Sequence, residues 1–251
     1  LHLMPINLIG VAISNAAFPQ LTERLGEGRL DLFQKDLRSL LRIIFWMALP
    51  TSVVIFFTRG YIVHFIRNTG DQLMAGILGC LVVAILFRTI YHMAARAFYA
   101  RQDTKTPLYI SVFSISLNIA LAIILTMNLN MGAYGLAWAQ STVAVFEVVI
   151  LLLVMSKQMP RMFNRAFVTA IGKMIAASAV AGVVCYIGVS VMPFRDTDSS
   201  FFSAFPKFTI ISIVSFGVYL LMSKLLRLPE VDPILKKGKK LLFGRLDGVW
   251  R

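Results

Sequence analysis

The chain has few of the residues that metal centres, disulfide scaffolds and nucleotide sites need. Its 251 residues include only two cysteines and three histidines, and the histidines lie in separate segments. Cys80 and Cys185 each lie inside an apolar stretch, which argues against a disulfide framework or a Cys/His metal site. The sequence contains no HExxH motif and no Walker A loop. We therefore expect a protein that is not an enzyme and that uses no cofactor, metal or bound ATP.

Charged residues are also scarce, at 15% of the chain, whereas 58% of the residues are hydrophobic. A helix needs roughly 20 apolar residues to cross a bilayer core of about 30 Å, where it satisfies its own backbone hydrogen bonds. Seven stretches have this character: 4–21, 38–57, 73–99, 108–127, 132–155, 167–192 and 205–225. The sequence predicts an all-α, polytopic membrane helix bundle of about seven transmembrane helices.

The positive charges lie almost entirely in every second connection. Nineteen Lys and Arg fall in the connections at 22–42, 96–105 and 157–165 and in the tail from Lys224, against four in the intervening connections. Because basic residues near helix ends stay in the cytoplasm, the first segment should run from outside to inside and the C-terminus should be cytoplasmic. We therefore attribute the net charge of +13 to attraction towards anionic membrane lipids, and we expect no nucleic-acid partner.

The two ends of the chain carry further expectations. The sequence opens at Leu1 within an apolar stretch, and an odd helix count with an outside start predicts that other helices precede it. At the other end, residues 229–251 form a basic tail, which is either a short amphipathic helix on anionic lipid or a solvated segment. The mixed apolar and charged connection at 22–42 predicts an interfacial amphipathic helix that leads into the second span.

The most distinctive local sequence is RAFYARQDTKTP at residues 96–107. It predicts a helix-turn-helix at the cytoplasmic membrane surface, with Phe98 and Tyr99 in the aromatic belt and Arg101 near lipid phosphates. Thr106 and Pro107 are suited to the N-cap and first position of the next helix.

This stretch, with Asp103 at its centre, resembles the junction sequence of the MurJ (MviN) family of lipid II flippases, in the MOP exporter superfamily. Other motifs agree in order and spacing: the Pro5–Ile13 stretch with Pro19 after it, Leu49-Pro50, Asn118, and Gly135-Leu136-Ala137. The resemblance covers residues 1–157 well. It implies that the chain holds the eighth to fourteenth helices of such a protein, as a C-terminal fragment.

The resemblance implies a transporter of the bacterial cytoplasmic membrane, acting in peptidoglycan and cell-wall biogenesis and hence in cell shape. Its partner would be lipid II, an undecaprenyl-pyrophosphate-linked precursor, moved by alternating access through a cationic cavity between two lobes. Residues 1–157 would form C-terminal-lobe helices, residues 158–228 two additional helices with a groove for the lipid tail, and residues 229–251 the cytoplasmic tail. The coupling ion is not specified by the sequence.

Ionisable residues at membrane depth are costly and mark a pathway or a pair. Arg88, His92 and Arg96 recur at i, i+4 and i+8, which puts them on one helix face as a cationic stripe suited to an anionic diphosphate. The family often has Lys at the position of His92. Arg88 and Glu147 lie at equal depth, roughly 22 Å from the outer ends of their spans. Arg88 would therefore either pair with Glu147 or contact substrate. Arg96 would either belong to the same cationic stripe or snorkel to the cytoplasmic surface.

Several other intramembrane residues have expected roles, most of them with an alternative. Asn118 and Gln140 would be interhelical hydrogen-bond partners or cavity residues. Pro19 and Pro50 would be static kinks or gate hinges. Lys173 is expected to snorkel to the surface.

Two alternative functions are kept. Another MOP-superfamily exporter, for polysaccharide-lipid or drugs, would share the fold. A membrane glycosyl- or acyltransferase would need clustered acids or histidines, and the sequence has only scattered acids.

Overall fold

The fold is entirely helical over the residues that the computed structural model describes, namely 2–67, 71–159, 162–192 and 201–232. Six helices are simple to delimit: α2 (Leu30–Arg67), α3 (Gln72–Ala100), α4 (Lys105–Ile123, extended by a π-helical turn Ile124–Asn128), α5 (Ala133–Gln158), α6 (Arg165–Val191) and α7 (Phe201–Leu225). The first helical run, α1, comprises Leu3–Pro5, a π-helical segment Ile6–Val11 and Ala12–Gly26.

The seven runs confirm the predicted all-helical architecture. Within the described ranges, six helices are long and apolar enough to cross a membrane, which are α2 to α7. A π-helical segment divides α1, whose longest α-helical part has 15 residues. The hydropathy pattern therefore located every helix, although it could not show this change of helical type.

The amphipathic segment before the second span has surroundings that the sequence did not predict. The amphipathic segment after residue 30 is continuous with the second span, so that α2 is a single helix of 38 residues. Its apolar side chains Phe33, Leu37 and Leu41 have no exposed surface and join the largest core cluster. This apolar face therefore packs against protein, because α1, α3 and α5 supply neighbours such as Leu21, Phe98 and Met155 that a lone interfacial helix would lack.

Helix α3 lies at the centre of the bundle. It packs against α2, α5 and the π-helical segment of α1, and the bulk of the core lies along its length. Helix α4 packs mainly on α5 and leaves most of its surface exposed. Helices α6 and α7 pack on each other and on α2. The bundle therefore places α4 at an edge, where α3 and α5 form the wall behind it.

Two glycines permit close helix contacts. A Cβ on Gly10, in the π-helical segment, would lie 2.9 Å from the Thr89 carbonyl oxygen of α3. A Cβ on Gly135 would lie 2.9 Å from the Leu125 carbonyl carbon, where α5 meets the π-helical end of α4. Since a distance below 3.0 Å requires something to move, the absence of a side chain at both positions sets how closely these helices approach.

Pro19 and Pro50 both lie inside helices, as predicted from their positions within apolar stretches. Pro50 has no N–H, so the carbonyl of Trp46 one turn earlier loses its helical donor. The Tyr219 hydroxyl of α7 donates to that carbonyl at 2.8 Å, and the Trp46 indole N–H donates to Ser223 at 3.2 Å. The proline therefore creates an acceptor that a neighbouring helix uses.

Candidate functional site

A polar cavity of about 420 Å³ lies between α3, α4 and α5. Helical spacing explains how three apolar helices build it. Ser111, Ser114 and Asn118 recur on one face of α4, and Gln140 and Glu147 recur on the facing side of α5. The complete lining is Arg88, Tyr91, Ser111, Ser114, Ile115, Asn118, Ile119, Gln140, Val143 and Glu147. Four of these were predicted from the sequence as cavity candidates: Arg88, Asn118, Gln140 and Glu147.

A hydrogen-bond chain runs across the cavity wall. The Ser111 hydroxyl donates to Glu147 Oε1 at 3.3 Å, and the Tyr91 hydroxyl lies 2.9 Å from Ser111 Oγ. A serine hydroxyl has one proton, and Ser111 gives it to the carboxylate, so Tyr91 must be the donor to Ser111. The Glu147 side chain is only 6% exposed. The chain thus supplies a buried carboxylate with a hydrogen bond that it would otherwise lack at this depth.

Arg88 and Glu147 line the same cavity, in agreement with their predicted equal depth. They do not come within 4.0 Å of each other as an ion pair in the described structure. Arg88 Nε is buried, and the described part of the chain gives it no hydrogen-bond partner. A buried donor without a hydrogen-bond partner costs about 1–3 kcal/mol. Arg88 therefore has a donor available for an acceptor within the cavity. An interaction with Glu147 at more than 4.0 Å stays a prediction.

The three residues of the predicted cationic stripe have different neighbours. His92 does not line the cavity, and its ring packs edge-on against Tyr91 with a centroid distance of 5.9 Å. Arg96 donates to Asn15 Oδ1 at 2.5 Å and lies over the Phe18 ring, both on α1. The spacing placed the three side chains on one face of α3, but this face meets α1 at one end and the cavity at the other.

At the family junction, one aromatic prediction is wrong and one is compatible with the structure. Phe98 is 1% exposed and belongs to the central core, whereas Tyr99 is 39% exposed. The difference follows from their adjacency on α3, since neighbouring residues point about 100° apart and only one can face outward. Arg101 donates to Gln158 Oε1 at the end of α5, so this contact ties the junction to the bundle.

The helix start at the junction also differs from the prediction. Helix α4 begins at Lys105, and Thr106 and Pro107 lie inside its first turn. Asp103 supplies the cap: it accepts from the Thr106 N–H at 3.0 Å and from the Thr106 hydroxyl at 2.6 Å. These hydrogen bonds, chiefly the side-chain bond from Thr106, lower the pKa of Asp103 below its ordinary value of 3.8. A carboxylate competes better than a hydroxyl for the free amide protons of a helix N-terminus.

The turn before Asp103 is a Schellman motif. Gln102 has a positive φ of 60°, its N–H bonds to the Tyr99 carbonyl, and the Asp103 N–H bonds to the Phe98 carbonyl. The motif ends α3 at Ala100, three residues before Asp103, whose side chain caps the start of α4. The junction sequence is therefore a compact helix stop and start.

Lys173, which is predicted to snorkel, contacts the end of a neighbouring helix. Its ammonium donates to the Leu226 carbonyl at 3.0 Å, just beyond the end of α7. The residue therefore places its cation at a helix C-terminus, where positive charge is favoured, and its snorkelling to the membrane surface stays a prediction.

Sequence reasoning missed Tyr91, Ser111 and Ser114. The spacing of Ser111, Ser114 and Asn118 at i, i+3 and i+7 was a usable signal for a polar face on α4. Tyr91 could be found only from the structure, since a tyrosine in an apolar helix is compatible with many surroundings. The described residues include no group of three His, Cys, Asp or Glu that could hold a metal ion, and Cys80 and Cys185 are free thiols.

The fold resembles that of a solved structure described as the lipid II flippase MurJ in an inward closed conformation. The TM-score is 0.71 with 23% identity, and the alignment covers 89% of this chain and 44% of that one. At this identity the likeness shows the fold.

Sequence relatives point to the same family. A protein of Thermotoga maritima named "Probable lipid II flippase MurJ" is 28% identical over 244 residues, which is 95% of this chain. A protein of Rhizobium tropici with the same name is 20% identical over 247 residues. The chain spans about half the length of these relatives, 46% in each case. The family model for "Lipid II flippase MurJ" matches residues 1–206, and the chain therefore belongs to the MurJ family.

Proposed function

We propose that this chain acts in the translocation of lipid II across the bacterial cytoplasmic membrane and supplies one wall of the transport pathway. Membership of the MurJ family supports the substrate, and the polar cavity between α3, α4 and α5 is the observation that carries the proposal. An anionic pyrophosphate head group needs charged donors inside the membrane. Arg88 is such a donor, because its buried Nε has no partner in the described chain.

The proposed role of Glu147 follows from its place in the same cavity. A carboxylate would repel a diphosphate at close range, so it should not contact the head group itself. Held by Ser111, it can instead orient the Arg88 guanidinium and offset its burial cost when no substrate is present. Glu147 is then a positioning residue, and Arg88 is the residue that contacts substrate.

The two roles are separated by two substitutions. Glu147→Gln keeps the hydrogen bond from Ser111 and the side-chain volume, so transport should fall less than about tenfold. Arg88→Gln removes the charge and should reduce transport much further. Equal losses of transport, with equal losses of thermal stability, would instead indicate an ion pair whose purpose is structural.

We propose an outside-to-inside first helix, with a cytoplasmic junction at 96–107 and a cytoplasmic C-terminus; the asymmetry of 19 against 4 basic residues supports this orientation. The basic tail from residue 233 onward lies outside the described residues, so its helical or solvated state stays a prediction.

A lipid tail would need an apolar surface beside the bundle, and the family resemblance implies one at the last two helices. One apolar groove of about 590 Å³ involves the first of these two, α6, with α5 as its other wall and Phe45 of α2 at its base. Phe163 and Ile175 mark its length along α6 and the segment before it. This groove supports an isoprenoid-binding role for α6.

Depletion of the protein in cells tests the substrate. If lipid II is the substrate, lipid II should accumulate on the cytoplasmic face, and its amount on the outer face should fall. Another MOP exporter would instead leave lipid II unchanged and cause a lipid-linked polysaccharide or a drug to accumulate. An unchanged distribution of lipid II in depleted cells would overturn the proposal. A family named for flippases also makes a glycosyl- or acyltransferase the weaker alternative.

A further inference from the structure

A second concave site lies between the first half of α2 and the turn that follows α7. It has a volume of about 380 Å³ and is lined by Lys35, Arg38, Ser39, Arg42, Ile43, Trp46, Pro229 and Glu230. The six α2 residues recur at helical spacing, so they form a single stripe on one face. This pocket shares no residue with the polar cavity between α3, α4 and α5.

The pocket has an excess of positive charge. Three cations, Lys35, Arg38 and Arg42, face one carboxylate, Glu230. Arg42 forms an ion pair with Glu230, whose side chain is 6% exposed, so this part of the charge is balanced. Arg38 Nε donates to the Met162 carbonyl at 2.8 Å, a contact that helps to fix this side chain in the pocket wall. Lys35 is exposed at the mouth.

The walls of the pocket are held in place before any ligand binds. The Trp46 indole N–H at the floor donates to Ser223 of α7. The wall that carries Glu230 follows a Schellman turn in which Arg227 has a φ of 55° and the Leu228 N–H bonds to the Ser223 carbonyl at 3.0 Å. Leu228 and Val231 on either side of this wall are buried. A preformed pocket needs less ordering on binding.

The position of the pocket on α2 indicates which ligand reaches it. From Lys35 to Trp46 the stripe rises about 16 Å, from the polar beginning of the helix into its apolar span. The end of the stripe at Lys35 is cationic, and the other end, at Ile43 and Trp46, is apolar. This order matches a phospholipid, whose phosphate lies above its acyl chains. The chain's own tail is a poor occupant, since residues 233–251 carry six Lys or Arg and one Asp.

We infer that this pocket binds the phosphodiester of an anionic membrane phospholipid, with Lys35 at the phosphate and the acyl chains passing Ile43 and Trp46. The site is more specific than the general attraction of basic loops to lipid, because it has defined walls. The inference does not depend on lipid II transport.

The test is native mass spectrometry of the intact, detergent-purified protein titrated with phosphatidylglycerol or with phosphatidylcholine of the same acyl chains. Phosphatidylglycerol should bind more tightly. Lys35→Gln should weaken its binding about fivefold, because one lysine contributes on the order of 1 kcal/mol near an anionic lipid. Lys157→Gln, a matched loss of an exposed charge at the end of α5 and outside the pocket, should change binding less than twofold.

A third variant changes affinity in the opposite direction. Glu230→Gln removes the one carboxylate among the described residues that line the pocket and frees Arg42, so phosphatidylglycerol should bind more tightly. A gain in affinity cannot arise from misfolding. Equal effects of Lys35→Gln and Lys157→Gln, equal binding of the two lipids, or weaker binding by Glu230→Gln would each overturn the inference. Inorganic phosphate at millimolar concentration should not displace the lipid; full displacement would identify a free phosphate site and refute the lipid assignment.

Discussion

At the scale of single residues, Asp103 shows how much one side chain contributes at the family junction. Its carboxylate accepts two hydrogen bonds from Thr106 and so begins α4. Asp103→Ala should cost about 1 kcal/mol, as for other N-terminal caps. This corresponds to a fall of about 2–4 °C in the melting temperature of a chain of this size. Glu23→Ala, at an exposed helical position, is the control and should leave the melting temperature unchanged.

The same carboxylate gives a pH dependence with a defined sign. Because the folded state lowers the pKa of Asp103 below 3.8, its contribution to stability is complete above that value and is lost as the pH falls through the lowered folded pKa. The difference in melting temperature between the parent chain and Asp103→Ala should therefore be constant from pH 5 to 8 and shrink below pH 4. A difference that grows on acidification would contradict the assignment of the cap.

Single residues also show where sequence reasoning stops. Counting residues from the span ends placed Arg88 and Glu147 at one depth, and they do share a cavity. The same reasoning could not distinguish a direct ion pair from two charges on a common wall, because side-chain direction depends on neighbouring helices. Arg96, Arg101 and Lys173 were expected at the membrane surface or at substrate, and each also donates to a protein acceptor that the sequence did not predict. Long cationic side chains reach several acceptors from one backbone position, so their partners are a property of the packing.

At the scale of helices, a hydrogen bond from α7 replaces the one that Pro50 removes from α2. Tyr219→Phe removes the donor to the Trp46 carbonyl, which Pro50 has already deprived of its helical partner. The substitution should cost about 1–3 kcal/mol, because a buried acceptor is left without a hydrogen bond. Tyr186→Phe, at an exposed tyrosine, should cost less than 0.5 kcal/mol by the usual behaviour of surface changes.

A double-mutant cycle tests this mechanism directly. Pro50→Ala restores the backbone N–H that can serve the Trp46 carbonyl, so Tyr219→Phe should cost less in that background, by roughly 0.5–1 kcal/mol. Thermal denaturation of the four proteins in one detergent gives the coupling. Additive effects of the two substitutions would show that Tyr219 acts at Pro50 by packing alone.

Hydropathy predicted where the helices lie, but it did not predict their full lengths or their π-helical segments. The second span and the segment before it were assigned separately because charged residues interrupt the apolar run, whereas the structure has one helix, α2. Charged side chains on one face do not end a helix when the other face remains buried. The π-helical segments have no comparable signal in the sequence, and both lie where a glycine brings two backbones together, at Gly10 and Gly135.

At the scale of the whole molecule, charge asymmetry predicts the orientation of every helix. Cysteines introduced at the two ends of α4 provide a matched pair, since both positions are exposed. Asn128→Cys should react with a membrane-impermeant maleimide in intact cells, and Lys105→Cys should react only after the membrane is opened. The parent chain is the control, with its Cys80 and Cys185 inside membrane helices. Labelling of Lys105→Cys in intact cells would overturn the topology.

The fold class followed from composition, because 58% hydrophobic residues in stretches of spanning length leave a membrane bundle as the reasonable architecture. The arrangement of the helices did not follow. Apolar helices in lipid have similar faces, and small residues such as Gly10 decide which ones approach closely. The cavity between α3, α4 and α5 depends on that arrangement, which explains why four of its residues were predicted and Tyr91, Ser111 and Ser114 were not.

The most direct test of the account is the fraction of lipid II on the outer face of the membrane in cells whose only copy of the protein carries Arg88→Ala. Removing a charged donor inside a desolvated cavity should lower that fraction about tenfold or more, with the protein still present at its normal level in the membrane. Arg59→Ala, which removes an arginine that hydrogen-bonds the Phe56 carbonyl outside the cavity, should leave the fraction near its normal value. A normal outer-face fraction in the Arg88→Ala cells would contradict the account.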